Sequence, residues 1–420
     1  MSGTYNGVKA HILSVNPLGA YIPCFAHSLN LVGANAVDCC PVTVQFFYVV
    51  QRVYTFFSAS THRWSILVIA LDKQAPVPKK LSDTHWSCHA DATSALRKGF
   101  KRVLYALEQI TGDPEEKQIT RQEAKGLSSE FHKLETGILI TLWDTVLQRF
   151  KNTSKALQCA TLDLNNAVSL LNSLQDFVSS LRSEFDDFEE QGKELSETNT
   201  YEEDTRRKRK RKKQFDESSS GETEIAGKEK FRVEVFLRII DQLNTALVCR
   251  VSAYEDVSSK FGFLCKVMTM DRNSLQHHCD LLVNHYPSDI ETSFSDEMIH
   301  FASYAAANIN DFHSRKENQE CSTELIIYRM LLQHELKEVF PNVEIAYRLY
   351  LCLMVSNCSG ERSFSKLRLI KNETRSKMKE QHLNMLSLMY IETSIMRELN
   401  FQDVVRNFAN QKARKVKFLK

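Results

Sequence analysis

Apolar residues recur every three or four positions along most of this chain, the spacing that places side chains on one helix face. From Asp91 onward, Ala92, Leu96, Phe100, Val103, Leu107 and Ile110 mark such a face, and Gly112-Asp113-Pro114 ends it. Leu127, Phe131, Leu134, Ile138, Leu142 and Val146 predict a second helix. Leu157, Ala160, Leu164, Ala167, Leu171, Leu174, Val178 and Leu181 predict a third, in heptad register. That register suits an intramolecular core face or a coiled-coil seam. Upstream, residues 1–35 read as helix, short extended piece and helix, with Ala20-Tyr21-Ile22-Pro23-Cys24 as the candidate strand. Val42, Phe46, Val49, Val50, Val53, Tyr54 and Phe57 predict a helix buried over a wide face, and Pro76 and Pro78 mark a loop over 72–83.

The pattern breaks over 184–230. An acidic run from Glu184 to Glu190 leads into a polar stretch. Eight consecutive cations follow: Arg206, Arg207, Lys208, Arg209, Lys210, Arg211, Lys212 and Lys213. Like charges side by side repel and resist burial, so this stretch is expected to be a disordered charged linker. The helical pattern resumes at Val233, Phe236, Leu237, Ile240 and Leu247, passes a polar connection at 285–300, and runs from 322 to the end. Tyr347 to Val355 is apolar all round, which predicts burial on every side. Met378, Met385, Leu388, Met389, Ile395 and Met396 stripe a further helix that Leu383 and Leu386 widen. A broad, Met-rich stripe suits a partner helix or an internal core.

Composition narrows the class. The chain has 420 residues, 43% hydrophobic and 25% charged, with only 13 Gly and 8 Pro, which favours long helices. A net charge of +2 says nothing about partners, so the local basic run matters more. The 11 cysteines are scattered, and no secretory leader opens the chain, so the thiols are expected to be reduced, in cytosol or nucleus. No uncharged apolar stretch is long enough to predict a membrane span.

Three ordered segments carry a family resemblance. Met1-Ser2-Gly3, Gly7-Val8 and Cys24-Phe25-Ala26-His27-Ser28-Leu29-Asn30-Leu31-Val32 form the first. Asp83-Thr84-His85-Trp86-Ser87 is the second. The third runs from Glu344 to Ile391 around Ser359-Gly360-Glu361-Arg362-Ser363-Phe364-Ser365-Lys366-Leu367. Together they resemble hAT-family transposases, and in particular transposon-derived proteins of the zinc finger MYM-type protein 1-like kind. The resemblance implies a ribonuclease-H-like sheet with a large helical insertion, and a site where two Asp and one Glu hold two divalent metals. It also implies that the second Asp lies just before the Met-Ser-Gly block, at which this chain begins, and the first further upstream. Glu361 alone matches the third acid. One carboxylate cannot hold a metal pair.

The expected fold is therefore mainly α: an incomplete ribonuclease-H-like remnant at 1–90, a helical insertion at 91–183 and 231–334 around the linker at 184–230, a C-terminal dimerisation region at 335–400, and a basic tail at 401–420. The expected function is that of an N-terminally truncated, catalytically inactive protein acting through homodimerisation, nuclear, with non-specific DNA binding. An active DDE-type nuclease, if upstream residues supply the missing acids, and a helical scaffold without a DNA role are the alternatives. Tyr347, Tyr350, Leu351, Met354, Phe364, Leu383, Leu386 and Met389 are the expected dimer residues. By resemblance His27 contacts a DNA backbone and Trp86 stacks on an extruded base; as bare residues both read as core positions. Thr61-His62-Arg63-Trp64-Ser65 offers a second Trp by local sequence. Arg206 to Lys213 suit nuclear import or salt-sensitive phosphate contacts. Cys24 and His27 make only half of a structural zinc set, so no metal and no cofactor are expected.

Overall fold

A computed structural model describes residues 7–82, 86–159, 162–202, 227–315, 318, 321–353, 358–372 and 375–410, without the side chains at 26, 358–362, 394 and 410. The chain divides into two units, Met1–Ser356 and Asn357–Lys420.

The first unit is helical. It contains α1 (Val8–Val15), α2 (Phe25–Val37), α3 (Pro41–Ser58), α4 (Thr61–Leu71), α5 (Trp86–Gly112), α6 (Gln118–Phe131), α7 (Leu134–Ala156), α8 (Leu164–Ser180) and α9 (Phe185–Ser196). After residue 226 come α10 (Gly227–Phe231), a π-helical turn (Arg232–Leu237), α11 (Arg238–Phe261), α12 (Arg272–His285), α13 (Phe294–Ser314), α14 (Thr323–Gln333) and α15 (Pro341–Leu351). Local chemistry sets many boundaries. Pro41 and Pro341 open α3 and α15 at the first helical position, where no backbone donor is needed. The side chains of Ser60, Asp163 and Asp271 accept from the backbone N–H three residues on and cap α4, α8 and α12. Asp72 ends α4 in the left-handed region at φ 47°.

Packing joins these helices around one core that runs from Phe25 to Tyr350. Helix α5 lies against α4, α6 and α7, while α11 lies against α2 and α8. The closest pair is α7 with α9. A Cβ on Gly137 would fall 2.5 Å from the Gly192 carbonyl, and one on Gly192 would fall 2.6 Å from the Ile138 side chain. Only glycine lets two backbones meet so closely. Arg97 adds a polar tie across three helices, donating to Asp144 at 3.0 Å and to Gln191 at 2.8 Å.

Several expectations need correction. Among the described residues there is no strand, and the ribonuclease-H-like remnant expected at 1–90 is not shown. Ala20 to Cys24 is irregular. A lone strand has no ladder to satisfy its backbone groups. This segment is held instead by Tyr254, whose hydroxyl lies 3.0 Å from the Pro23 carbonyl and 2.9 Å from Ser28 Oγ. The predicted second helix is two, α6 and α7, because the chain turns at His132 and Lys133. The third helix starts at Leu164, where Asp163 caps it. Its heptad face is core: Leu164, Ala167, Leu171, Leu174 and Val178 are all buried.

The expected linker is structured over its first part. Phe185 and Phe188 bury α9 against the Phe236 ring, and Glu189 accepts from the buried Tyr201 hydroxyl at 2.6 Å. Arg206 to Lys213 lie outside the described residues. The polar connection at 285–300 is helical from Phe294, with Phe294, Met298 and Phe301 in the core.

The second unit holds α16 (Cys358–Ile370), α17 (Glu380–Ile391), α18 (Thr393–Glu398) and α19 (Gln402–Asn410). Helix α16 packs on α17, and Lys366 of α16 donates to the Ile391 carbonyl at 2.9 Å, satisfying an orphan group at the end of α17. No helix among the described residues is long and apolar enough to cross a membrane.

Candidate dimerisation surface

Helix α17 is apolar on most of its circumference, yet none of its residues is buried. Met385 is 64% and Leu388 65% exposed, and Met389 and Tyr390 lie beside them. Leu383 and Leu386 are half-buried. On α16, Phe364 is 71% exposed and Leu369 is also largely bare, while Ile370 is the one buried hydrophobe among the described residues of this unit. Ile395, Leu399 and Phe401 are exposed as well, as are Val404, Val405 and Phe408 of α19, which stand at helical spacing. So many large apolar side chains on four short helices cannot form a core from their own unit. An exposed patch of this kind marks an interaction surface.

Residues 326–395 match the hAT family C-terminal dimerisation region. The match supports an origin in a hAT-family transposase and ties this segment to oligomerisation. It covers α14 and α15 of the first unit and reaches α18 of the second; α19 lies beyond it. No curated protein and no solved structure matched the chain.

The expected dimer residues divide. Tyr347 is fully buried in the first unit, where its hydroxyl donates to the Leu264 carbonyl at 2.9 Å. Tyr350 is buried as well, with its hydroxyl 3.4 Å from Cys265 Sγ. Burial pushes both phenols far above their ordinary range, so neither ionises at ordinary pH. These two rings already serve the chain's own core, which corrects the expectation that they face a partner. Leu351 is half-buried. Met354 lies outside the described residues. Phe364, Leu383, Leu386 and Met389 are the members that the second unit brings onto one short pair of packed helices. Sequence reading expected helix to the end of the chain but named no surface residue in α19, although Phe401, Val404, Val405 and Phe408 stand at the i, i+3, i+4, i+7 spacing of an apolar face.

The residues expected to meet DNA are placed as follows. His27 is exposed in the first turn of α2. Beside it Phe25 stacks on Tyr254 with ring centres 3.7 Å apart, which anchors the turn. Trp86 opens α5 and is half-buried, stacked on His89 at 4.3 Å with its edge toward Phe47 at 5.9 Å. A Cβ on Gly33 would fall 2.6 Å from the Trp86 ring, so α2, which carries His27, lies against the indole. Trp86 thus packs between helices, with part of its ring exposed. Trp64, the second candidate, meets Tyr54 edge-on at 6.4 Å. Glu361 falls within α16, but its side chain lies outside the described part. Among the described residues no group of three His, Cys, Asp or Glu side chains is placed to hold a metal ion.

Proposed function

We propose that this chain is a transposon-derived protein that has given up DNA cleavage and acts as a homodimer, held through the helices after residue 357. The observation that carries the reading is the coincidence of the hAT dimerisation match with the exposed apolar faces of α16 and α17. An interface of this kind gains from every large side chain it covers, at roughly 25 cal/mol per Å² of apolar surface. Light scattering on a size-exclusion column tests it: the expected mass is near twice that of one chain at micromolar concentration, and a strict monomer refutes it.

The finer parts of the reading rest on sequence. Loss of strand transfer follows from carboxylate arithmetic, since Glu361 is the sole match to the family's acids. Incubation of the full chain with plasmid and Mg²⁺ is expected to leave the DNA uncut; nicking that vanishes in Glu361→Gln would overturn this. Kinship with zinc finger MYM-type protein 1-like proteins belongs to the same reading, and the sequence of the complete transcript tests it. The run Arg206 to Lys213 supports nuclear import and weak, sequence-blind DNA binding. Replacing it with alanine is expected to move a fluorescent fusion out of the nucleus and to abolish salt-sensitive DNA retention.

A further inference from the structure

Within the first unit, α3, α7, α10 and the π-helical turn line a cavity of about 400 Å³, inside the roughly 300–1,000 Å³ range of small-molecule sites. Phe46, Val49, Leu139, Phe231 and Val235 give it apolar walls, and all five belong to the buried core. One wall runs through the π-helical turn Arg232–Leu237, a rare conformation often found where a helix serves a site.

The polar groups of the wall are unequally answered. Lys133 pairs with Glu130 at 2.9 Å and with Glu202 at 3.2 Å, so one cation already faces two carboxylates. Glu135 accepts from the Glu202 backbone N–H through Oε1 at 2.6 Å. Its Oε2 is buried and, among the described residues, has no hydrogen-bond partner. Burial pushes the Glu135 carboxyl above its ordinary range. Glu234 adds a further carboxylate at an exposed position, and Lys230 a second cation. Around the apolar walls stand, among the described residues, four carboxylates, Glu130, Glu135, Glu202 and Glu234, against two ammonium groups, Lys133 and Lys230, and a cation entering the cavity would offset that excess of negative charge.

We propose that this cavity binds a small organic ammonium with an apolar body, its charged head meeting the carboxylates of Glu135 and Glu234 and its body lying against Phe46, Leu139 and Phe231. Anions would meet an excess of carboxylates there. A neutral apolar guest would leave that excess unanswered.

The test titrates the full chain with 2-phenylethylammonium and with 2-phenylethanol, its neutral counterpart, while methyl resonances of Val49 and Val235 are followed by NMR. The expected result is saturable binding of the ammonium that shifts both methyls, with the alcohol about tenfold weaker. Glu135→Gln is expected to weaken the ammonium about tenfold and the exposed Glu234→Gln a few-fold. Three results overturn the proposal: no saturation by low millimolar ligand, equal affinity for the alcohol, or shifts confined to residues outside the cavity. Should Glu135→Gln fail to fold, the ammonium-to-alcohol ratio on the unaltered chain decides alone.

Discussion

The two units carry similar apolar helices and treat them in opposite ways. In the first, Trp143, Phe301 and Tyr347 have no exposed surface. In the second, Phe364, Leu388 and Val404 are each more than half bare. Both stretches are Leu-, Met- and aromatic-rich, so composition does not separate them. What separates them is partner supply. Helices α5, α7 and α11 each lie between at least two others, whereas within its own unit α17 packs, among the described residues, chiefly on α16 and the short α18. A stripe with too few neighbours inside its own unit must find them elsewhere or stay wet.

The contrast can be broken most forcefully in the core. Trp143 lies against Phe47 and Trp86. Trp143→Ala is expected to cost about 3–5 kcal/mol of stability by urea denaturation, with dimer mass unchanged wherever the chain still folds. The opposite pattern is expected from the second unit. Replacing Leu388 and Met389 together by Asp should raise the dimer dissociation constant about a hundredfold, near 2.7 kcal/mol, while the melting of the first unit stays put. Analytical ultracentrifugation reads the first effect and circular dichroism the second. If both changes destabilise the fold alike, the division of labour is wrong.

A subtler test uses pH. Burial alone would raise the Glu189 carboxyl, but hydrogen bonds from Tyr201, Lys228 and Lys193 outweigh it and hold it at about 2, against an ordinary value of 4.5. A carboxylate depressed on folding stabilises the protein above its unfolded value and loses that contribution as pH falls toward the folded one. Stability should therefore drop between about pH 5 and pH 2. Glu189→Gln should flatten that slope and cost about 2 kcal/mol at neutral pH. An unchanged slope would show that Glu189 does not hold α9 in place. The smallest effect is expected at α19, beyond the matched region: Val404→Ser with Phe408→Ser should weaken the dimer a few-fold, and no change would confine the interface to α16 through α18.

Much of the first unit was legible because its helix signals are local. Pro41, Asp163, Asp271 and Gly112-Asp113-Pro114 speak through their own backbone, and the periodic faces of α5, α8 and α11 are where the spacing put them. The errors came where a distant residue decides. Nothing near Ala20 to Cys24 announces that Tyr254 will hold that segment. Nothing in the acidic run at 184–190 announces that Phe185 and Phe188 will find Phe236. The candidate surface was half legible for the same reason. Tyr347 and Tyr350 read as partner-facing because they are apolar and near the matched motif, yet Leu264 and Cys265 claim them. The glutamate-lined cavity was invisible, since Phe46, Leu139 and Val235 are far apart along the chain.

By itself, then, the sequence determined where most helices form and which faces must leave water. Only the tertiary structure decided which of those faces have company within the chain. The reason is that burial of apolar surface is favourable whatever covers it: periodicity records the need for a cover, and the packing of distant segments determines whether the cover is the chain itself.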